Sequence, residues 1–188
     1  MRNPGLMAHL PNLITLGRLL LVPAIIVAIV QSRWPQAFAI FLLAGVSDAV
    51  DGFLAKRLDL RTELGAHLDP LADKALIVSI YVALVVRDVL PPWIMILVAS
   101  RDAIIVAAIM VSWLMERPVA IRPLWISKIN TAAQIAFAAY VLAAKAFGWP
   151  LETFFQLAMW SVAGLTGASA FAYLLQWFAH MTGEGTGP

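Results

Sequence analysis

The sequence predicts an all-α integral membrane protein with six transmembrane helices. Three observations carry that prediction. Of the 188 residues, 62% are hydrophobic and only 13% are charged. Mean hydropathy is +0.85. The apolar residues also gather into six long runs separated by proline, glycine and charged residues. An ordinary soluble domain is about half apolar and about a quarter charged. A spanning helix takes roughly 20 residues, so six of them leave short loops and tails and exclude a separate soluble catalytic domain.

The first run covers 14–30. Just before and within its start, 10–18 mixes apolar residues with Asn12, Thr15 and Arg18, as an N-terminal interfacial helix would. Arg18 then either reaches back to headgroups or binds phosphate. A secretory signal is the other reading of this run, but five further spans argue against it. The second and third runs cover 37–54 and 71–86. The fourth, 92–115, follows the Pro91-Pro92 pair, where proline early in a helix sacrifices no intrahelical bond. The fifth covers 126–147 and ends at Gly148-Trp149-Pro150, and the sixth covers 154–178. Residues 1–181 therefore read as one membrane domain, with 182–188 as a glycine-rich flexible tail. Trp93, Trp113, Trp125, Trp149, Trp160 and Trp177 fall near run ends, as interfacial belt residues do.

With the N-terminus inside, the inner loops and ends carry Arg2, Arg18, Lys56, Arg57, Arg61, Arg117, Arg122 and Lys128, and the outer loops only Arg33, Arg87 and Lys145. This bias places both termini on the inner, cytoplasmic side. The net charge of +2 is spread over loops and gives no nucleic-acid footprint. The absence of cysteine excludes disulfide scaffolds, thiolate metal sites and a cysteine nucleophile.

Four of the eleven acids form two close pairs: Asp48 and Asp51, then Asp69 and Asp73. Spacings of three and four put each pair on one helical face. A short connection turns the two helices into a hairpin, so the four carboxylates converge near the inner surface. Four carboxylates in a partly desolvated site repel, and two divalent cations balance their charge. Hard oxygen ligands suit magnesium, manganese or calcium, and paired metals serve displacement at phosphorus. Helix-end acids solvated by headgroup water are the bland alternative. A cation transporter using the carboxylates as an ion path is the rival function. Such paths usually lie at the midplane between inverted repeats, whereas these acids sit toward one surface and no repeat is visible. Lys56 and Arg57 flank the cluster, and Gly52, Ala55 and Gly65 keep it open to close approach.

Asp48-Ala-Val-Asp51-Gly52-Phe-Leu-Ala55-Lys56, followed by Gly65-Ala-His-Leu-Asp69-Pro-Leu-Ala-Asp73, resembles the signature of the CDP-alcohol phosphotransferase (CDP-alcohol phosphatidyltransferase) family. That signature is D-x-x-D-G-x-x-A-R, a spacer, then G-x-x-x-D-x-x-x-D, and seven of its eight fixed positions match. Lys56 stands at the arginine position, keeping the charge but losing the bidentate fork. The resemblance implies a six-helix homodimeric enzyme using CDP-diacylglycerol and two divalent cations, magnesium or manganese. By position it implies that Asp48, Asp51, Asp69 and Asp73 bind the metals. It makes Asp73 the base as well, with Gly52, Ala55, Lys56 and Gly65 against the nucleotide and its diphosphate.

Further segments resemble the cardiolipin and phosphatidylglycerophosphate synthases of that family: 11–18, Ser100-Arg101-Asp102, and Ile126-Ser-Lys128-Ile-Asn130-Thr131. Asn130 stands where a second lysine is expected in enzymes that use glycerol 3-phosphate. An acceptor phosphodiester needs less positive charge than a phosphomonoester, which favours phosphatidylglycerol over glycerol 3-phosphate as acceptor. Arg101, near mid-span, either pairs with Asp102 or an acid of the cluster or contacts the acceptor phosphate. Lys128 is a second phosphate candidate or a snorkelling anchor. The resemblance thus implies CMP release and lipid synthesis in a bacterial or organelle inner membrane.

Overall fold

A computed structural model describes residues 10–58, 63–116 and 124–182, with the side chains of 10–16, 18–19, 48–58, 63–73 and 153 outside the description. The described residues form six α-helices and no strand: α1 (Leu10–Val30), α2 (Trp34–Leu58), α3 (Glu63–Val86), α4 (Pro92–Leu114), α5 (Trp125–Phe147) and α6 (Thr153–Thr182). Each apolar run became one helix. Several helices outlast their runs, because backbone hydrogen bonding continues into polar flanks where the hydropathy signal has already ended. Thus α1 begins at Leu10, so 10–18 is continuous with the first helix, whose described apolar stretch starts at Leu20. Helix α3 begins at Glu63, eight residues before its run, and α6 extends to Thr182, into the expected tail. Residues 183–188 lie outside the described part.

Two of the described helices are long and apolar enough to cross a membrane, Pro92–Leu114 and Phe154–Thr182. Shorter apolar stretches occupy Leu20–Val30, Trp34–Ser47 and Lys74–Val86.

The chain divides into two compact units. The first comprises Met1–Leu90 and Ala138–Pro150, and in it α1 packs against both α2 and α3. Its core follows helical periodicity, with Ile25, Ala28 and Ile29 buried on α1 and Leu76, Ile77, Ile80, Tyr81 and Leu84 on α3. Helices α1, α3 and α5 end alike. Ser32, Asp88 and Gly148 adopt left-handed φ values of 57°, 53° and 70°. The following amide then reaches back to a carbonyl five residues earlier: Arg33 to Ala28, Val89 to Leu84 and Trp149 to Ala144. These closed turns satisfy carbonyls that the helix ends leave open.

The second unit comprises Pro91–Phe137 and Leu151–Pro188. Here α4 packs on α6. The buried face of α6 runs Phe155, Met159, Val162, Thr166, Ser169 and Tyr173, alternating steps of four and three as a close-packed helical seam requires. Trp177 Nε1 donates to the Ala108 carbonyl (3.0 Å) and to Ser112 Oγ (2.8 Å) on α4. Trp177 therefore binds inward to a helix instead of standing in an interfacial belt.

The outer faces of α4 and α6 are apolar, and their few buried polar residues point inward. On α4, Ile96, Val106, Met110 and Leu114 are exposed, Leu114 at 85%, while Arg101 and Ser112 are buried. On α6, Phe171, Leu175 and Phe178 face outward and Thr166 and Ser169 inward. A hydrocarbon surround favours this arrangement because polar groups must then find partners inside the protein. Val106→Asp is accordingly expected to cost about 3 kcal/mol of membrane integration, while Val106→Leu is neutral. Alkaline extraction of membranes containing each variant checks this.

Candidate functional site: an acidic helix pair and a buried arginine

Asp48 and Asp51 lie in the second half of α2, and Asp69 and Asp73 in the first half of α3. Both segments are helical, so the three- and four-residue spacings place each pair on one face of its helix. Gly52, Ala55 and Lys56 share α2 with the first pair, and Gly65 precedes the second pair on α3. The side chains of all eight residues, and of Arg18 on α1, lie outside the described ones. Their convergence is an expectation from the sequence that lies outside the described side chains. The donor set suits the metals expected from the sequence: four carboxylates on two successive helices, in a chain without thiols, are hard ligands for magnesium or manganese.

The described side chains of the second unit contain one buried charge, Arg101, only 3% exposed on α4. Its Nη1 bonds Asp102 Oδ1 at 2.7 Å. Its Nε and Nη2 both donate to Ser169 Oγ, at 3.2 and 2.9 Å. Nη2 also donates to Ser127 Oγ. The guanidinium lies 5.4 Å from the Tyr173 ring centroid, within cation–π range. One arginine therefore joins α4, α5 and α6. Its charge is balanced by the neighbouring carboxylate, and its planar fork is largely filled by two hydroxyls. This is a pairing with Asp102, one of the arrangements expected from the sequence.

Lys128, one residue after Ser127, is exposed, with Nζ 4.8 Å from the Trp125 ring centroid. It lies along the surface as an amphipathic side chain does. Asn130 is fully buried. Its Oδ1 accepts a 2.9 Å bond from Thr166 Oγ1, which in turn accepts from Gln134 Nε2 at 3.3 Å. The asparagine at the second-lysine position is therefore part of the α5–α6 packing. Besides withholding a second positive charge, Asn130 has a structural task in that packing.

Ser127, Ser169 and Tyr173 were not singled out as partners of Arg101 by the sequence. Ser169 reads there as part of a small-residue packing stripe with Gly164, Gly167 and Ala168. The structure separates them: Ser169 is buried, whereas the other three are exposed and a Cβ at either glycine would meet nothing within 4 Å. The four-and-three alternation from Phe155 to Tyr173 is the signal that would have assigned Thr166 and Ser169 to the inner face.

The profile of the family described as CDP-alcohol phosphatidyltransferase matches residues 8–182. The chain belongs to this family. Among its relatives in the family, cardiolipin synthase (CMP-forming) of Homo sapiens is 33% identical over 180 residues, covering 87% of this chain and 60% of that protein. The CDP-diacylglycerol–glycerol-3-phosphate 3-phosphatidyltransferase of Bacillus subtilis is 34% identical over 183 residues, covering 89% of this chain and 94% of its own length. The chloroplastic enzyme of that name from Oryza sativa subsp. japonica is 34% identical over 184 residues, covering 88% of this chain and 56% of that protein. The chain thus matches a little over half the length of the human and rice family members and nearly all of the Bacillus one.

The Arg101 geometry sets a stability expectation. Arg101→Met removes one ion-pair partner of Asp102 and the donor of two hydroxyls, and should cost about 3 kcal/mol. Ser169→Ala should cost about 1 kcal/mol. Thermal unfolding of the detergent-solubilised variants measures both, with Arg101→Lys expected between them.

Proposed function

We propose that this family member is a phosphatidyltransferase that transfers the phosphatidyl group of CDP-diacylglycerol to an alcohol and releases CMP. The observation that carries the reading is the aspartate set at positions 48, 51, 69 and 73, with its accompanying small and basic residues, on two successive helices of a chain in this family. Six membrane spans, a homodimer and an active site on the cytoplasmic side complete the proposal. The spans rest on the six helices and the apolar outer faces of α4 and α6, the sidedness on the excess of lysine and arginine in the inner loops, and the homodimer on the family resemblance alone.

In the proposed reaction Asp73 takes the proton from the acceptor hydroxyl. That oxygen attacks the phosphorus nearer the diacylglycerol. The bond from this phosphorus to the bridging oxygen breaks, and the electron pair leaves with CMP. Asp48, Asp51, Asp69 and Asp73 would hold two divalent cations, which when bound neutralise charge on the phosphoryl oxygens. Lys56 supplies positive charge to the diphosphate, and Gly52, Ala55 and Gly65 leave room for it beside the helix backbones. Arg18, Arg101 and Lys128 are the basic residues proposed for acceptor phosphate. Arg101 also holds Ser127, and with it the start of α5, against α4 and α6.

Phosphatidylglycerol is the preferred acceptor, because a single lysine at 128 with asparagine at 130 suits a singly charged diester. Glycerol 3-phosphate is the second reading, favoured by the Bacillus relative that this chain matches along almost its whole length.

Two experiments test the proposal. Purified protein given CDP-diacylglycerol, magnesium or manganese, and either acceptor should form CMP and cardiolipin with phosphatidylglycerol. Product with glycerol 3-phosphate alone would reject the preferred acceptor, and chelation should abolish turnover with either. Asp73→Asn should lower CMP release at least about 100-fold, the lower range for loss of a general base, while remaining folded and membrane-inserted. Near-normal turnover would remove Asp73 from the role of base.

A further inference from the structure

The three basic residues assigned by sequence to outer loops, Arg33, Arg87 and Lys145, meet around one turn in the first unit. Arg87 Nη2 donates to Ser32 Oγ at 2.6 Å. Lys145 Nζ lies 5.8 Å from the ring centroid of Trp34. Between them Arg33 is exposed, and among the described residues no side chain pairs with its guanidinium. Asp88, beside Arg87, is the one acid in this neighbourhood among the described residues of the first unit. The closed Schellman-type turn, Arg33 N–H to the Ala28 carbonyl at 2.8 Å, fixes where Arg33 leaves the backbone.

Arg33 stands at the mouth of a groove of about 450 Å³ between α1 and α2. At the same end are the amides of Gln31 and Gln36, and the walls running away from them are Pro23, Val27 and Ile40. The groove reaches Leu20 along α1, a run of about 16 Å at helical rise. That is about half of a hydrocarbon core roughly 30 Å thick, the depth of one acyl chain in one leaflet. Along α2, Asp51 is about 22 Å beyond Gln36, so the groove opens at the opposite end of that helix from the acidic residues.

We propose that this groove binds one anionic glycerophospholipid from the leaflet opposite the acidic helix pair. Its phosphate sits on Arg33 with Gln31 and Gln36, and one acyl chain lies along Pro23, Val27 and Ile40. The unpaired guanidinium supplies charge complementarity, the two amides supply donors, and the length of the apolar walls matches a chain in a single leaflet. A helix from a second copy would cover the same walls but would leave the guanidinium desolvated without a counter-charge. The proposal rests on the membrane-spanning reading and is independent of the catalytic one.

The test places the full chain in phosphatidylcholine nanodiscs containing a small fraction of phospholipid with a photoactivatable acyl chain, headed by either serine or choline. Adducts are mapped by peptide mass spectrometry. Adducts within 20–40 should form about fivefold more from the serine lipid than from the choline lipid, the preference one well-placed cation confers. Arg33→Gln should bring that ratio close to one, and Arg33→Lys should retain most of it. Asp73→Asn should leave the adducts unchanged, separating this site from the fate of the proposed reaction. Equal labelling by the two lipids, a ratio unaffected in Arg33→Gln, or adducts on α4 and α6 without enrichment at 20–40 would overturn the groove alone. A cross-link from 20–40 to a second copy in place of lipid would overturn it also. Absence of adducts along the whole chain would overturn the membrane-spanning reading together with it.

Discussion

A polar group shut away from water must find its partner within the protein, and the described structure follows from that constraint. Backbone groups satisfy it by forming helices, and the turns after α1, α3 and α5 satisfy it by reaching back to open carbonyls. Most buried polar side chains meet it by bonding across helices, while Asn130 keeps its Nδ2 without a hydrogen-bond partner among the described residues. Arg101, Ser112, Asn130, Gln134, Thr166 and Ser169 are all buried, while large apolar residues such as Leu114, Trp125 and Leu157 face out. The outcome, among the described residues, is a helical protein with a largely apolar interior in which a few bonded polar side chains are set, and with an outer surface that is apolar as well.

Within that interior Arg101 concentrates the problem in one group. A lone guanidinium in an apolar surround is costly, and removing one partner from such a pair is worse than never having built it. The chain answers with a carboxylate one residue away, two hydroxyls from different helices and an aromatic face. A packing requirement and an electrostatic one are thereby met by the same atoms. Ser127 is one residue from Lys128, so the node also sets where that exposed cation begins. This links a buried structural feature to a residue proposed for acceptor phosphate.

Much of the architecture was legible because it depends on local periodicity. The apolar runs located all six helices to within a few residues at most ends. The largest miss, at Glu63, arose where α3 continues through sequence whose polar residues erase the hydropathy signal. The acidic motif was equally legible, since spacings of three and four need only a helix to bring side chains to one face. The partners of Arg101 were not. Ser127 and Ser169 are 26 and 68 residues away in the chain, and a serine among small residues carries no mark of which direction it will face. Asn130 was noticed for the charge it lacks, whereas its bond to Thr166 depends on how α5 meets α6.

The sequence by itself determined that this is an all-helical chain suited to lipid, that four aspartates lie on two consecutive helices, and that they form the motif of the CDP-alcohol phosphatidyltransferases. Those properties depend on composition and on spacing within a single helix. Tertiary structure decided which hydroxyls hold Arg101, that Trp177 bonds inward, that Asn130 belongs to the packing, and that three distant cations gather at the turn after α1. Each of these requires particular helix faces to meet, and that choice is made by packing residues far apart in sequence, which no local spacing encodes.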